Sequence, residues 1–223
     1  MDTYRTEEEQ VEAIKRWWQE NGKFTVLGVV LALAAVFGWR GWNAHQLERA
    51  GEASLIYDNL LQTDQLLERD PSKRQTAQHL AVTLKDGFSG NSYAHYAALI
   101  LAKYAVKDGD YAAAEDELRW VLSQQPEPAV KAQTELRLAR LEYARGNYDA
   151  ALAQLAPLLE GAAAVQALEL RGDVLQKQGK AQQALQAYRQ ASAVNEQQQS
   201  PLNSPLLAMK INSLSAIHAD ADK

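Results

Sequence analysis

The sequence predicts an all-α protein. A single N-terminal transmembrane helix is followed by a solenoid of about three to four helical hairpins and a C-terminal capping helix. Three observations support this prediction: an uncharged apolar run near the N-terminus, three similar turns spaced by about one hairpin, and only 12 Gly and 6 Pro in the chain. The abundant residues are Ala, Leu, Gln and Glu, which are strong helix formers.

The composition limits the chemistry that the chain can perform. It has 223 residues, a net charge of −5 and no cysteine. Without cysteine, disulfides, thiolate catalysis and Cys-ligated zinc are excluded. The acidic balance is atypical of nucleic-acid-binding proteins, which usually carry a basic patch or stripe, so no nucleic acid partner is expected. The length suits one domain plus a short additional segment.

Residues 24–39 form the core of the predicted membrane span. They carry no charge and lie between Lys23 and Arg40. At 1.5 Å per residue the run extends about 24 Å, slightly less than the roughly 30 Å hydrocarbon core of a bilayer. The two flanking cations extend it by reaching outward. Trp17 and Trp18 before the run, with Trp39 at its end and Trp42 after it, fit the aromatic belts of a span. We therefore assign the transmembrane helix to residues 23–42.

Two other interpretations of this run stay open. A cleavable signal peptide would use residues 32–34 as its cleavage site, but 23 residues precede the run and apolar residues continue past that site. A buried core helix would be apolar along one stripe, whereas this run is apolar all round. The membrane anchor explains the run and its flanks together.

The distribution of positive charge predicts the orientation of the span. Four Lys or Arg residues precede it within residues 1–23, whereas two follow within residues 40–49. An excess of Lys and Arg marks the cytoplasmic side. We therefore predict a single-pass membrane protein with a cytoplasmic N-terminus and with residues 43–223 outside the cytoplasm.

Small residues line one face of the span. Gly28, Ala32 and Ala35 recur at helical spacing, and such a face lets another membrane helix approach closely. The alternative is that Gly and Ala are simply frequent in membrane helices.

Residues 1–22 are predicted to form a cytoplasmic amphipathic leader. Four apolar residues between positions 11 and 18 share one helical face, and Asn21-Gly22 is expected to end the helix. Such a helix lies at the membrane surface. The alternative interpretation is a docking peptide for a partner.

Three similar turns predict three stacked hairpins. Their glycines are Gly109, Gly146 and Gly179, spaced by 37 and 33 residues, a period typical of helical repeats. Each glycine is expected to adopt the left-handed conformation that ends a helix. The helix after each turn has apolar residues at relative positions 0, 3, 7 and 10, and the seventh residue before each glycine is small: Ala102, Ala139 and Gly172.

The segments on either side of the hairpins are predicted to close the array. Residues 43–68 and 72–85 are expected to form two helices, either a degenerate first repeat or a cap. Residues 197–204 read as a polar turn, and residues 205–217 as a closing helix. Terminal repeats need such caps because their outer faces meet water.

The first helices of the hairpins are predicted to line a concave groove for a protein partner. Helix phase places these residues on the groove face: Tyr96, Leu99, Lys103, Lys107, Leu136, Arg140, Tyr143, Gln166, Glu169 and Asp173. Lys103 and Lys107 lie one turn apart and are candidates for holding a carboxylate or an acidic segment. The alternative is that they are ordinary solvated lysines.

No pattern in the chain indicates catalysis. The four histidines share no metal-ligand spacing, and no Gly-x-Ser-x-Gly elbow occurs. Gly179-Lys180 lacks the earlier glycine and the following Ser or Thr of a phosphate-binding loop. We therefore predict no enzyme activity, no cofactor and no metal.

The repeat residues resemble the tetratricopeptide repeat. The shared features are a small residue, a helix-ending glycine, an aromatic residue, then Ala and large apolar residues, with Pro126 where that repeat often has its closing proline. The resemblance covers residues 92–195. It departs at Arg171, which replaces the leucine of the other two repeats, and at Ala163, which replaces the proline.

The layout of the whole chain resembles the YfgM family, the ancillary subunits of the SecYEG translocon. The most specific residues are the leader sequence Glu-Glu-Gln-Val-Glu-Ala-Ile at positions 8–14, Trp17-Trp18, and Glu-Asn-Gly at positions 20–22, directly before a single span. The resemblance implies a single-pass inner-membrane protein whose N-terminus is cytoplasmic and whose tetratricopeptide domain, residues 43–223, is periplasmic. It also implies association with SecYEG and with the periplasmic chaperone PpiD, and transfer of secreted client proteins to the periplasmic chaperone network. Two alternatives stay open: an envelope-stress regulator acting through the leader, and a scaffold for envelope assembly.

Overall fold

The computed structural model describes residues 7–197 and 205–221, and this part of the chain consists of helices joined by short turns, without strands. The prediction of an all-α fold is confirmed. The nine described helices are α1 (Glu7–Leu66), α2 (Arg74–Gly87), α3 (Ser92–Lys107), α4 (Tyr111–Ser123), α5 (Pro128–Arg145), α6 (Tyr148–Leu155), α7 (Ala164–Lys177), α8 (Ala181–Gln197) and α9 (Pro205–Ala221). Short 3-10 turns occur at Pro71–Lys73 and Ala156–Leu158. The predicted polar turn lies almost entirely outside the described residues.

The chain divides into two units, Met1–Glu52 and Ala53–Lys223. Helix α1 is continuous through positions 21 and 22, so the prediction that Asn21-Gly22 ends the leader helix is wrong. Asn21 stays helical and donates its side-chain amide to the Trp17 carbonyl at 3.2 Å. Gly22 packs under the Trp18 ring, where an added Cβ would lie 3.3 Å from the nearest ring atom. A glycine inside a helix lowers helix stability by only about 1 kcal/mol relative to alanine. The helical residues on both sides offset this loss.

The candidate membrane span lies within α1. An 18-residue window there has a mean hydropathy of 1.8, and only 6% of it is buried. A core helix of a water-soluble domain would bury such residues, whereas here the apolar side chains between positions 24 and 39 are exposed. An added Cβ on Gly28 would meet nothing within 4 Å, so the small-residue face has no neighbour inside the described chain and its partner stays a prediction.

Within the second unit, the structure confirms three helical hairpins: α3–α4, α5–α6 and α7–α8. The predicted turn glycines all have positive φ, +76° at Gly109, +82° at Gly146 and +76° at Gly179. Side chains rarely adopt this left-handed conformation, which explains why glycine stands at each turn. The first turn also has a cap on the following helix, because the Asp110 carboxylate accepts a bond from the Ala113 N–H at 2.9 Å.

The small residues before the turns lie where the two helices of each hairpin touch. Ala102 and Ala139 are buried. At Gly172 the approach is closest, because an added Cβ would stand 2.3 Å from Cε1 of Tyr188 in α8. A small residue at each of these positions therefore lets the two helices of a hairpin pack closely.

Further helices close both ends of the second unit. The end of α1 packs with α2 against α3 through a buried cluster that includes Leu60, Leu84 and Tyr104. At the other end, α9 buries Leu207 and Leu214 against α7 and α8. The predicted closing helix is confirmed, and it starts at Pro205 as expected.

One histidine of the second unit, His95, lies buried in α3. His95 is 7% exposed and its ring lies edge-on to Trp120 at 6.3 Å. Neither ring nitrogen has a hydrogen-bond partner in the described protein. Burial lowers the pKa of His95, and the charge of Glu127 only partly opposes this. The neutral ring is therefore favoured in the folded state.

We expect His95→Leu to remove part of the loss of stability on acidification. The unfolded chain takes up a proton on His95 near pH 6.5, whereas the folded chain does so only at lower pH, so stability falls as the pH drops below 6.5. Near pH 7.5 the variant should be within about 1 kcal/mol of the parent, since an unsatisfied polar group is lost. Urea unfolding of the parent and the variant at pH 7.5 and pH 5 measures their free energies of unfolding at each pH. His79→Leu, at an exposed position, is the control. If His95→Leu lost as much stability between pH 7.5 and pH 5 as the parent, the buried His95 would not be a source of the acid sensitivity.

Candidate functional site

A cavity of about 550 Å³ opens on the second unit, and we call it the groove. It is formed by the end of α1 and by α3, α4 and α5. Its lining residues are Tyr57, Leu61, Asp64, Tyr96, Leu99, Ile100, Ala102, Lys103, Val106, Lys107, Leu118, Arg137, Arg140, Leu141 and Ala144. Five of the ten predicted groove residues are among them: Tyr96, Leu99, Lys103, Lys107 and Arg140.

Aromatic and aliphatic side chains form the walls of the groove. The ring of Tyr57 lies 5.8 Å from the ring of Tyr96 and 5.2 Å from that of Tyr93. Burial raises the pKa of Tyr57, and the neighbouring tyrosines and acidic groups add to the shift. The rings of Tyr57 and Tyr96 line the groove together with the partly exposed Leu61, Ile100 and Val106. They present an apolar surface of the kind that binds apolar side chains.

The face of α5 in the groove is rotated from the predicted one. Leu136 is fully buried in the core with Ala139 and Leu155, which corrects its placement as a groove residue. Arg137 and Ala144 line the groove instead, beside the predicted Arg140. Leu136 leaves the groove face because, as an apolar residue, it packs between α5 and the helices that follow.

None of the three predicted residues of the third hairpin lines the groove, and two of them, Glu169 and Asp173, contact α9 instead. Lys210 of α9 donates to Glu169 at 2.9 Å and to Asp173 at 2.6 Å. Burial alone would lower the pKa of Lys210, but the two carboxylates raise it above its usual value. The side-chain oxygen of Gln166 is buried without a protein partner.

Tyr143 also lies near this end of the array and is absent from the groove lining. Its ring is 6.0 Å from that of Tyr148. Burial raises the pKa of Tyr143, and the negative charge of Asp173 adds to the effect. Of the ten predicted residues, five therefore line the groove, Leu136 lies in the core, and Glu169 and Asp173 contact α9. Tyr143 and the partly buried Gln166 lie outside the groove lining.

Asp64 provides the one carboxylate of the groove lining. It accepts bonds from Lys103 Nζ at 2.6 Å and from the Tyr104 hydroxyl at 2.7 Å. Burial alone would raise the pKa of Asp64, but the bonds from Lys103 and Tyr104 and the charge of Lys107 lower it. Burial and the Asp64 carboxylate together raise the pKa of Tyr104.

Two arginines of α5 complete a basic rim. Arg137 is half-buried and donates to the Leu99 carbonyl at 3.3 Å. Burial and the neighbouring Arg140 lower the pKa of Arg137. With Lys103 and Lys107, four cationic side chains face one carboxylate in the lining. The groove is thus positive although the chain as a whole carries a charge of −5.

Sequence reasoning missed the contribution of α1 to the groove. Three of its lining residues, Tyr57, Leu61 and Asp64, are spaced at i, i+4 and i+7, and this spacing indicates a shared helical face in the sequence. Residues 43–68 were expected to belong to a degenerate first repeat or a cap, and none of these three side chains was predicted to line the groove. Among the described residues, no group of three or more His, Cys, Asp or Glu could hold a metal ion. The arrangement is suited to non-covalent binding.

The chain is similar to known proteins along nearly its whole length. Residues 15–216 match the family described as a tetratricopeptide repeat-like domain. It is 37% identical over 216 residues to the ancillary SecYEG translocon subunit of Escherichia coli strain K12, covering 96% of this chain and 100% of that protein. Proteins of the same name from Aggregatibacter actinomycetemcomitans and Haemophilus influenzae are 32% and 31% identical, each covering 93% of this chain and 97% of the relative.

Proposed function

This chain belongs to the YfgM family of tetratricopeptide repeat-like ancillary SecYEG translocon subunits, and from that premise we propose that its groove binds segments of secreted proteins and passes them to periplasmic chaperones. Membership confirms the resemblance read from the leader and the repeat turns. The proposed role needs three parts: an anchor in the inner membrane, a binding surface on the periplasmic side, and release to a partner such as PpiD.

The groove is the observation that supports this proposal. Proteins leaving a translocon are unfolded and expose apolar side chains. The groove offers them apolar walls from α1, α3 and α5 within about 550 Å³, a volume typical of ligand pockets. A handful of side chains of an extended segment would fill it.

The anchor is proposed to be α1, with the leader in the cytoplasm. The apolar stretch of α1 is long enough to cross a bilayer, and the excess of Lys and Arg before it favours a cytoplasmic N-terminus. Gly28, Ala32 and Ala35 would allow close packing against a helix of the translocon. The role proposed here involves binding and release, without catalysis.

Photocrosslinking in intact cells tests the proposal. A photoreactive phenylalanine analogue at Val106, which lines the groove and is 44% exposed, should capture secreted precursors during export. Val82 on α2 is a matched control, since it is also an apolar residue, is 43% exposed and lies outside the groove lining. We expect capture from Val106 at least several times that from Val82, because only the former contacts the binding surface.

The identity of the captured proteins decides the outcome. Precursors of exported proteins, enriched when export is slowed, would support both the site and its periplasmic location. Capture of cytoplasmic proteins alone would reject the orientation and the role together. Equal capture from the two positions would show that the groove is not the binding surface.

A further inference from the structure

The three hairpins place a charged residue at one equivalent position on the first helix of each. The sixth residue before the turn glycine is Lys103 in α3, Arg140 in α5 and Asp173 in α7. Equivalent positions before a shared turn lie at the same height and phase of each helix. Their side chains can therefore be compared directly across the array.

At both ends of the array this residue is paired with an opposite charge from another helix. Lys103 donates to Asp64 of α1 at 2.6 Å. Asp173 accepts from Lys210 of α9 at 2.6 Å. A tyrosine hydroxyl completes each pair: Tyr104 donates to Asp64 at 2.7 Å, and Tyr188 donates to Asp173 at 2.7 Å. In both end hairpins, the charged residue at this position thus pairs with an opposite charge on a neighbouring helix.

Arg140, in the middle hairpin, differs from the other two. It is exposed, lines the groove, and has neither an ion pair nor a hydrogen bond to its side chain from the described part of the chain. Arg137, one turn away, has no ion pair there either, and its bond to a carbonyl is long. Lys107 is exposed in the same lining and has no ion pair among the described residues. Three cations of the groove therefore lack a bonded counter-charge from the described chain.

We propose that Arg140, together with Arg137 and Lys107, binds a carboxylate side chain of the polypeptide segment in the groove. The groove then selects segments in which an acidic residue is flanked by large apolar ones. This inference rests on the proposed function and specifies its substrate class. A guanidinium offers two parallel N–H donors that match a carboxylate, and the apolar walls beside it accommodate the neighbouring side chains.

The arrangement also predicts which segments are rejected. A lysine or arginine of the segment, in place of the acidic residue, would face like charges and lose its hydration without gaining an ion-pair partner. An uncharged polar residue would leave the three cations without a counter-charge. The preference is therefore for acidic over amide over basic segments of equal apolar content.

Peptide binding to the full chain in phosphatidylcholine nanodiscs tests the inference. The probes are three fluorescein-labelled peptides with the same leucines and phenylalanine, carrying aspartate, asparagine or lysine at the same positions. We expect the aspartate peptide to bind the parent about tenfold more tightly than the asparagine peptide, as one charge-assisted hydrogen-bonded pair would give. The advantage should shrink as salt is raised, because part of the site is exposed.

Arg140→Gln should abolish the preference for the aspartate peptide while retaining binding of the asparagine peptide. Lys177→Gln is the matched control. Lys177 is the second residue before its turn glycine, as Lys107 is, and it is exposed but lies outside the groove lining. That variant should keep the preference. Circular dichroism confirms that both variants retain their helix content.

The outcomes separate the inference from the function on which it rests. Equal binding of the three peptides to the parent overturns the acidic preference and leaves polypeptide binding standing. A preference that persists in Arg140→Gln overturns the assignment to this site. Failure of all three peptides to bind overturns both. Displacement of the aspartate peptide by phosphatidylglycerol vesicles from the parent, but not from Arg140→Gln, would assign the site to a lipid headgroup and overturn the inference.

Discussion

Gly172→Ala is expected to lower the free energy of unfolding by about 3 kcal/mol, near the upper end of the cost of inserting one carbon into a packed core. The new Cβ would stand 2.3 Å from a ring atom of Tyr188. That ring is fully buried, and its hydroxyl is bonded to Asp173 at 2.7 Å and Gln176 at 3.1 Å. Because the ring is held at both its face and its hydroxyl, it cannot move aside without loosening the α7–α8 hairpin.

Thermal and urea unfolding of the full chain, followed by circular dichroism, measures this effect. Gly51→Ala is the control, because Gly51 is also helical but an added Cβ there meets nothing within 4 Å. That variant should be unchanged or slightly more stable, since alanine favours a helix over glycine. Combining Gly172→Ala with Tyr188→Leu should cost less than the sum of the two changes. Parent-like unfolding of Gly172→Ala would contradict the close packing of the hairpin.

The hairpins were predictable because their signals are local. A glycine with positive φ, a small residue seven positions earlier and a stripe of apolar residues all lie within one or two helices. The restriction of left-handed backbone to glycine and the period of the helix connect each signal directly to geometry. The three turns and the close contact at Gly172 follow from these constraints.

The composition of the groove was only partly predictable because it depends on which helices become neighbours. Asp64 and Lys103 are 39 residues apart in sequence but form one ion pair. Glu169 and Asp173 have the phase of groove residues, yet Lys210 of α9 contacts both. Helix period places a side chain on a face, but it does not say which distant element covers that face.

In α1, by contrast, a local signal was misleading, because the helix continues through Asn21-Gly22. Asn-Gly commonly ends a helix, but here the Asn21 amide bonds back to the Trp17 carbonyl and the helix continues. Thr25 adds a second bond of this kind, from its hydroxyl to the Asn21 carbonyl at 3.1 Å. Both side chains thus bond to carbonyls of the preceding turn within a helix that continues through the position where a stop was expected.

Asp64→Asn is expected to weaken the fold and to strengthen the binding of acidic segments. Asp64 joins Lys103 and the buried Tyr104 hydroxyl across α1 and α3. Replacing its charge should cost about 2 kcal/mol of unfolding free energy, the typical value of a hydrogen-bonded charged group. The carboxylate has a lowered pKa, so its stabilisation is present above pH 3.8 and is lost as the pH falls through the folded pKa. The difference between parent and variant should therefore shrink in acid.

The same substitution removes the only carboxylate of the groove lining and frees Lys103 for a ligand. The aspartate peptide should bind Asp64→Asn about threefold more tightly than the parent, since a repulsive charge near the site contributes on the order of 0.5 kcal/mol in water. Asp116→Asn changes the net charge equally at an exposed position on α4 outside the lining and should alter neither property. If Asp64 competes with the ligand for the groove cations, Asp64→Asn should be less stable than the parent and yet bind the aspartate peptide more tightly. Weaker binding by Asp64→Asn would show that its carboxylate supports the groove rather than competing within it.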